Sequence, residues 1–342
     1  MSSGSGYTLP VRVLITRLSA FGDIVHTWPL VEALRRAPEP AVVAWVVEEP
    51  FLPLVQAHPG VDLAIAVATR RWRREPLAAA TRVAIRDARE QVAGFGADVA
   101  LDPQGLLKSA LWPALAGVPR RIGFAATHRR ERLAGACYTE TVSPPAGSCH
   151  VVDCNLALLA PLGVAAASSP APDGRFLLAG EPQAGDRDDR TIALLPAAGR
   201  PGKCWPPEHY ASLARRLAAS GWRPLVVVGP GEEALGRQVA AGAGAGAALA
   251  PPTSLPELAR LLAGCRAVVG GDTGPIHLAA SLGVPTVAVF LTSDAGRNGP
   301  RGACVNVVTA ARTGARHGRA RTGRQGDIAV EEVAAAVTAL LG

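Results

Sequence analysis

The residues best suited to chemistry in this sequence are a carboxylate, Asp23, and an ammonium, Lys203. Asp23 lies in LSAFGDIVHTWP, after a short apolar run, where it either caps a helix or acts as a general base. Lys203 lies in GRPGKCWPPEHY and is one of two lysines in a chain otherwise rich in arginine. Either a lysine occurs at this position by chance, or the position requires a compact ammonium and does not accommodate a planar guanidinium.

An anion site is predicted where an apolar run turns into a helix in VVGGDTGPIHLAASLG. Backbone N–H groups at a helix start attract anions, and the glycines around Asp272 and Thr273 let a diphosphate approach the backbone. The turn is neither the dinucleotide fingerprint nor a Walker loop, so no nicotinamide cofactor is predicted. His277, one turn into the helix, is more simply a packing residue than a catalytic one.

Two further groups of charged residues have both a structural and a functional interpretation. Glu232 and Glu233 open a helix after an apolar run, where they stabilise the helix start or accept hydrogen bonds from ribose hydroxyls. The segment TRRWRREP carries four guanidiniums around Trp72. These form either a solvated surface or, beside a cleft, a fork-like site for phosphates or sugar carboxylates.

Composition bounds the classes of function. The 342 residues are 49% hydrophobic and carry a formal net charge of +7. This predicts about two domains with apolar cores, and anionic partners such as phosphates, acidic glycans or a membrane surface. No zinc-finger spacing or aromatic RNP-like strand occurs in the sequence, so nucleic acid is not a predicted partner.

Cysteine usage predicts the compartment. Six cysteines are scattered along the chain, and the N-terminus lacks the apolar core of a signal peptide, so a reduced, cytoplasmic protein is expected. Cys149, His150 and Cys154 have no fourth ligand nearby in the sequence, so no metal site is predicted. No apolar run is long enough to span a membrane.

The elements that must position these residues alternate between apolar runs and helical stretches, the pattern of parallel α/β sheets. The predicted strands are 11–15, 41–49, 63–69, 97–102, 191–198, 223–230, 267–272 and 285–290. The predicted helices are 24–36, 76–93, 105–116, 206–220, 231–241, 254–264, 274–283 and 330–341. The Ala-, Ser- and Pro-rich segment 163–176 is a predicted linker. Two doubly wound halves are expected, with ligands bound in a cleft beyond the carboxyl ends of their strands.

Six motifs of the chain together resemble those of the bacterial lipopolysaccharide heptosyltransferases of glycosyltransferase family nine, most closely those that add the first heptose to Kdo. The motifs are LSAFGDIVHTWP, WVVEEPF, RRWRRE, DPQGLLKSA, KCWPPEHY and GDTGPIHLAASLGVPT. The resemblance covers nearly the whole chain and implies a GT-B fold, with two Rossmann-like domains facing each other across a cleft. It implies an acceptor-binding domain over 1–170, a donor-binding domain over 171–325, and a C-terminal helix within 326–342 that packs back on the first domain.

The resemblance also implies an activity. It is inverting, metal-independent transfer of L-glycero-D-manno-heptose from ADP-heptose to Kdo of the lipopolysaccharide inner core, without a cofactor. The implied partners are ADP-heptose, the anionic Kdo–lipid A acceptor and the cytoplasmic face of the inner membrane, on which the enzyme is peripheral.

Residue roles follow from the same motifs. Asp23 matches the general base, and Lys203 matches the lysine that engages the donor diphosphate. The other donor-binding residues implied are Glu232 and Glu233 for the ribose, Asp272 for the heptose hydroxyls, Thr273 and Gly274 for the diphosphate, and His277. The acceptor-binding residues implied are Arg70, Arg71, Arg73, Arg74 and Lys108.

The chain departs from the family pattern in two places. Ala197, Ala198 and Gly199 stand where the family often has hydroxyl residues, so some hydrogen bonds to the diphosphate must come from elsewhere. The segment 311–326 is unusually basic and is either a solvated loop or a membrane contact. A transferase with another acceptor, a GT-B sugar-nucleotide epimerase and a non-catalytic nucleotide-sugar binding module are the alternatives. The arginine cluster and Asp23 argue against the last two.

Overall fold

The computed structural model describes residues 11–145, 150–166, 168, 170–179, 188–199, 201–310, 315–316, 319–320 and 328–342. Their packing divides the chain into two compact units. The first unit comprises Met1–Ser19, Thr27–Ala146 and Val152–Ser169, and the second comprises Ala20–His26, Gly147–Val151 and Pro170–Gly342. The short segment that carries Asp23 therefore belongs with the second unit, although its neighbours along the chain belong with the first.

The first unit is built on a parallel six-stranded sheet with the order β3-β2-β1-β4-β5-β6. Its strands are β1 (Arg12–Thr16), β2 (Val42–Glu48), β3 (Leu63–Val67), β4 (Val99–Asp102), β5 (Arg120–Phe124) and β6 (Glu140–Val142). The helices of this half of the chain are α1 (Phe21–Val25), α2 (Trp28–Arg35), α3 (Leu52–Gln56), α4 (Thr69–Trp72), α5 (Ala79–Gly94), α6 (Leu107–Leu115) and α7 (Val151–Ala157). Of these, α1 packs in the second unit.

The second unit repeats this arrangement with the order β12-β11-β10-β7-β8-β9. Its strands are β7 (Asp188–Leu195), β8 (Arg223–Val226), β9 (Ala248–Leu249), β10 (Cys265–Gly271), β11 (Thr286–Phe290) and β12 (Val305–Thr309). Its helices are α8 (Pro207–Ala219), α9 (Glu233–Ala243), α10 (Leu255–Ala263), α11 (Gly274–Ser281), α12 (Ala295–Asn298) and α13 (Val330–Leu341). Two short strands, β13 (Ala315–Arg316) and β14 (Arg319–Ala320), pair with each other, and the rest of the basic stretch 311–326 lies outside the described residues.

Both sheets have the doubly wound order that places the first and fourth strands of the unit side by side. The predicted α/β class is confirmed. Strands such as β2 are apolar along most of their length because helices cover both faces of a parallel sheet. The crevice at the carboxyl ends of the two neighbouring strands, β1 and β4 or β7 and β10, is where such sheets bind ligands.

Several details differ from the sequence-based expectation. The predicted helix 24–36 is two helices, because α1 ends at Val25 and α2 restarts at Trp28 with Pro29 in its first turn. Strands β5, β6, β9 and β12 of the two sheets were not predicted, nor were the short strands β13 and β14. Strand β5 begins with two arginines and β6 has three residues at the sheet edge, so neither has the long apolar run of a central strand.

The final helix, α13, was expected to pack back on the first domain. Its apolar face instead packs on the second unit, where Val333 and Val337 join the core formed with α8 and strands β10 to β12. The Trp205 indole N–H donates to the backbone oxygen of Ile328 at 3.0 Å, just before this helix. Burial of that apolar face and this hydrogen bond hold α13 on the second sheet.

Candidate functional site

Lys203 and Asp272 meet at the crevice of the second sheet. Lys203 ends a short 3₁₀ turn beyond β7, and Asp272 follows β10, the neighbouring strand. The Nζ atom of Lys203 forms an ion pair with Oδ2 of Asp272. Two residues 69 positions apart in sequence are thus joined because their strands are adjacent and parallel.

The Asp272 carboxylate is held in its charged form. Burial by itself raises the pKa of this carboxyl, but contacts with His277 and Lys203 outweigh burial and keep its pKa well below the usual range. The Nε2 atom of His277 lies 3.7 Å from the second carboxylate oxygen, Oδ1. Each carboxylate oxygen therefore faces a basic side chain, one from the turn after β7 and one from α11.

Helix α11 begins directly after this pair. Thr273 precedes the helix with an extended backbone, and Gly274 is the first helical residue. The side chain of Thr273 makes no capping hydrogen bond. The first turn of a helix offers backbone N–H groups and a partial positive charge, so this turn can bind an anion next to the Lys203 ammonium.

The segment that carries Asp23 packs on α11. Gly22 lies against the ring of His277, and Gly274 lies against Phe21. The rings of His26 and His277 meet edge to face with centroids 4.5 Å apart. The second unit therefore contains Asp23 together with Lys203, Asp272 and the start of α11, whereas the sequence had placed Asp23 in the first domain.

Asp23 makes the contact expected of a helix-start carboxylate. Its Oδ2 atom accepts a hydrogen bond from the backbone N–H of Ala20, at 3.2 Å. Asp23 is partly exposed. The capping interpretation is thus realised through one oxygen, and a partly exposed carboxylate can also take a proton from a bound hydroxyl.

Glu232 and Glu233 both stabilise the loop between β8 and α9. Oε2 of Glu232 accepts from the backbone N–H of Gly229, and Oε1 of Glu233 accepts from that of Gly231, both at 2.9 Å. The backbone hydrogen bond from Gly231 lowers the pKa of Glu233. The structural interpretation of both glutamates is observed, and their part in ribose binding stays a prediction.

The arginine cluster lies in the first unit, at the end of β3. Arg70 and Arg71 lie on α4, which is anchored by the buried side chain of Trp72. All four arginines, Arg70, Arg71, Arg73 and Arg74, are exposed. Arg71 forms an ion pair with Glu49 at 2.8 Å. The Glu48 carboxylate accepts from the backbone and hydroxyl of Thr69 and so fixes the start of α4.

Lys108, on the first turn of α6, lies close to this cluster. Burial lowers its pKa most, nearby Glu48 raises it, and the charges of Arg73 and Arg70 lower it further. The Lys108 ammonium is therefore near enough to two of the predicted acceptor-binding arginines for their charges to act on it. The sequence separates Lys108 from Arg73 by 35 positions, and the fold brings them together.

Sequence reasoning missed the role of Asp102, the last residue of β4. Its carboxylate is buried and accepts four hydrogen bonds. The donors are the backbone of Gln104 and Gly105, the hydroxyl of Ser109 at 2.9 Å and that of Tyr138 at 2.8 Å. Burial raises its pKa, although each hydrogen bond opposes that shift. This network holds the loop before α6 and so positions Lys108. The signal was present in the DPQG motif, an aspartate and a glycine at a strand end.

Among the residues described, no group of three or more His, Cys, Asp and Glu side chains could hold a metal ion. Cys149, which was considered with His150 and Cys154, lies outside those residues. No helix in the described ranges is long and apolar enough to cross a membrane.

Comparison with known proteins decides the family. The model of glycosyltransferase family 9 (heptosyltransferase) matches residues 85–328. The chain belongs to this family. It is 34% identical over 299 residues to lipopolysaccharide heptosyltransferase 1 of Pseudomonas aeruginosa. The matched region covers 85% of this chain and 82% of that protein.

Solved structures agree with this assignment to family 9. The structure of E. coli heptosyltransferase WaaC with ADP superposes with a TM-score of 0.83 and 30% identity, over 96% of this chain and 100% of that one. The WaaC structure with ADP-2-deoxy-2-fluoro heptose gives a TM-score of 0.80 and 30% identity, over 96% of this chain and 99% of that one. The predicted GT-B fold is confirmed.

Proposed function

We propose that this family 9 member is an inverting, metal-independent glycosyltransferase that moves L-glycero-D-manno-heptose from ADP-heptose to Kdo of the lipopolysaccharide inner core. The observation that carries the proposal is the Lys203–Asp272 pair at the start of α11. This pair lies in a chain that matches, over nearly its whole length, a heptosyltransferase solved with ADP and with an ADP-heptose analogue.

In the donor site, Lys203 and the start of α11 bind the diphosphate. Thr273 and Gly274 supply backbone N–H groups at the positive end of the helix, and Lys203 supplies a point charge. Asp272 accepts hydrogen bonds from heptose hydroxyls, because its carboxylate stays ionised. Glu232 and Glu233 bind the ribose. As the bond to the sugar breaks, ADP gains negative charge, and these fixed positive groups stabilise it.

In the transfer step, Asp23 acts as general base. Inversion requires an acceptor hydroxyl to lose its proton on one face of the sugar while ADP leaves from the opposite face. A carboxylate on the same structural unit as Lys203 and Asp272 is suited to that task. His277 contacts the Asp272 carboxylate and helps to hold it where it binds the donor heptose.

Acceptor binding is assigned to Arg70, Arg71, Arg73, Arg74 and Lys108. Kdo carries a carboxylate and lipid A carries phosphates, and both match guanidinium forks and an ammonium. The four arginines are exposed, and Arg70 and Arg73 act electrostatically on Lys108. This accumulation of positive charge in one place favours an anionic partner over a neutral glycan.

Peripheral membrane association is supported by an exposed apolar surface on the same unit, which we name the α6 ridge. It consists of Leu111 and Leu115 on α6 and of Leu133, with 38%, 53% and 70% of their surfaces exposed. Leu111 and Leu115 share the helix face of Lys108 because they follow it by three and seven residues. Leu133 lies in the 3₁₀ turn Arg132–Cys137, which packs on α6 through Ala134 and Cys137. Exposed leucines beside clustered cations are typical of proteins that bind the surface of anionic membranes.

A transfer assay read by mass spectrometry tests the proposal. The protein is incubated with ADP-heptose and Kdo–lipid A, with and without EDTA. We expect the acceptor to gain the mass of one heptose at the same rate in both samples. Loss of transfer with EDTA would contradict metal independence, transfer only to another acceptor would contradict the Kdo assignment, and isomerised donor without transfer would indicate an epimerase.

A further inference from the structure

Two glycines lock the segment that carries Asp23 onto the helix that begins the donor site. Gly22, the residue before Asp23, contacts the ring of His277, and Gly274, the first residue of α11, contacts Phe21. The contacts are reciprocal, since each helix supplies one glycine and one ring. Helices α1 and α11 therefore approach each other more closely than residues with side chains would allow.

The contacts themselves explain why both positions are glycine. Neither Gly22 nor Gly274 has the positive φ that would require glycine for its backbone conformation. A Cβ atom on Gly22 would lie 2.6 Å from Cδ2 of His277, well inside van der Waals contact. A Cβ atom on Gly274 would overlap Cβ and Cγ of Phe21. Space between the two helices, and not backbone strain, fixes the residue type.

A row of histidines holds α1 from its other end. The ring of His26 lies edge to face with that of His277, and the ring of His150 lies 5.3 Å from that of His26. His150 is itself fixed by a 2.8 Å hydrogen bond between its Nε2 and the backbone oxygen of Gly299. The four residues, His26, His150, His277 and Gly299, come from separate parts of the sequence, and all belong to the second unit.

We propose that Gly22 and Gly274 are positioning residues, which fix the Asp23 carboxylate relative to Asp272 and the start of α11. The base-bearing segment then belongs mechanically to the donor-binding unit and not to the unit that precedes it in sequence. This inference rests on the proposed role of Asp23 as base. A shift of about 1 Å in a reacting group can lower a rate by about 10²-fold. Holding α1 in a fixed position therefore maintains the rate of transfer.

The first test is Gly22→Ala, with Gly94→Ala as the matched control. Gly94 ends helix α5, and a Cβ atom there would contact nothing within 4 Å. We expect Gly22→Ala to lower kcat about 10- to 100-fold, with the Kd for ADP changed less than about threefold. Gly94→Ala should keep both values. Unchanged kcat in Gly22→Ala, or a loss of ADP binding equal to the loss of kcat, would overturn the proposal.

A double variant separates steric displacement from other effects. His277→Ala removes most of the ring that supplies the three atoms nearest to the methyl group added in Gly22→Ala. If the loss in Gly22→Ala comes from that overlap, the two substitutions together cost less than the product of their separate effects. Multiplicative effects would contradict the interlock.

Amide hydrogen exchange of the wild-type protein tests the coupling without any turnover or variant. ADP bound at the start of α11 should slow exchange in α1 as well as in α11, because the two helices open together. Protection of α11 alone would overturn the interlock while leaving the donor site intact. Protection of neither helix, with ADP shown to bind, would instead contradict the proposed donor site.

Discussion

The Lys203 ammonium is paired with the Asp272 carboxylate at the crevice between β7 and β10. The carboxylate stays ionised, since His277 and Lys203 hold its pKa low in spite of burial. A donor diphosphate therefore meets a cation whose position is already fixed by a neighbouring anion. Such prior ordering lets the ammonium stabilise the leaving group without rearrangement during the reaction.

This arrangement predicts a large kinetic effect at Lys203. Lys203→Ala should lower kcat by about 10²–10³-fold, comparable to the loss of one oxyanion-hole donor, because the leaving ADP gains charge in the transition state. Lys203→Arg should recover only part of the rate, since a guanidinium carries its charge in a different place from a compact ammonium paired with Asp272. Steady-state kinetics at saturating acceptor measure both. Wild-type turnover in the arginine variant would show that lysine is not specifically required.

Asp23→Asn separates capping from catalysis at the base. Asparagine keeps an oxygen that can accept from the Ala20 N–H, so α1 should begin as before and the melting temperature should hardly change. It cannot take a proton at neutral pH, so kcat should fall by about 10²–10⁴-fold with donor affinity unchanged. Near-normal turnover would reduce Asp23 to a helix-start residue.

The lowered pKa of Lys108 predicts that the acceptor KM depends on pH in the alkaline range. Burial lowers its pKa below the ordinary 10.5, so the side chain loses its charge at a lower pH than an exposed lysine does. As pH rises through this lowered pKa, attraction to the anionic acceptor weakens and the acceptor KM rises. In Lys108→Arg the charge persists over this range, and the rise should disappear. Identical alkaline profiles of acceptor KM in the two proteins would exclude Lys108 from acceptor binding.

The α6 ridge predicts membrane binding that depends on leucine as well as on charge. Replacing Leu115 and Leu133 by glutamine should weaken partition onto anionic lipid vesicles by about tenfold or more, since burying one leucine side chain is worth about 1.5–3 kcal/mol. Leu249→Gln, on a partly exposed leucine of the second unit, serves as the control. Vesicle co-sedimentation reads the effect, and equal binding by all the variants would refute the ridge as a membrane contact.

Much of the second unit could be predicted from sequence because local rules decide it. Apolar runs mark β10 and β11, and the turn GGDTGP marks the start of α11. The pairing of Lys203 with Asp272 follows once their strands are known to be neighbours, but strand order is a property of the whole sheet. Glu232 and Glu233 lie at the helix start as expected, where both hold their own loop.

Other features depended on contacts that no local pattern encodes. Helix α1 follows β1 in the chain, yet it packs in the second unit because Gly22 and Gly274 permit close contact with rings from distant segments. The apolar face of α13 indicated that this helix is buried, but it did not indicate that the helix packs on the second sheet. The DPQG motif marks Asp102 locally, but the hydroxyl of Tyr138, 36 positions away, joins its hydrogen-bond network only through the fold.

Inverting transfer of heptose from ADP-heptose to Kdo determines the linkage that is formed in the product. The wild-type protein is given ADP-L-glycero-β-D-manno-heptose and Kdo–lipid A, and the purified product is examined by nuclear magnetic resonance. Because inversion converts the β-linked donor into an α-linked product, we expect one new α-linked heptose attached to Kdo. A β-linked heptose, or a heptose attached elsewhere than Kdo, would contradict it.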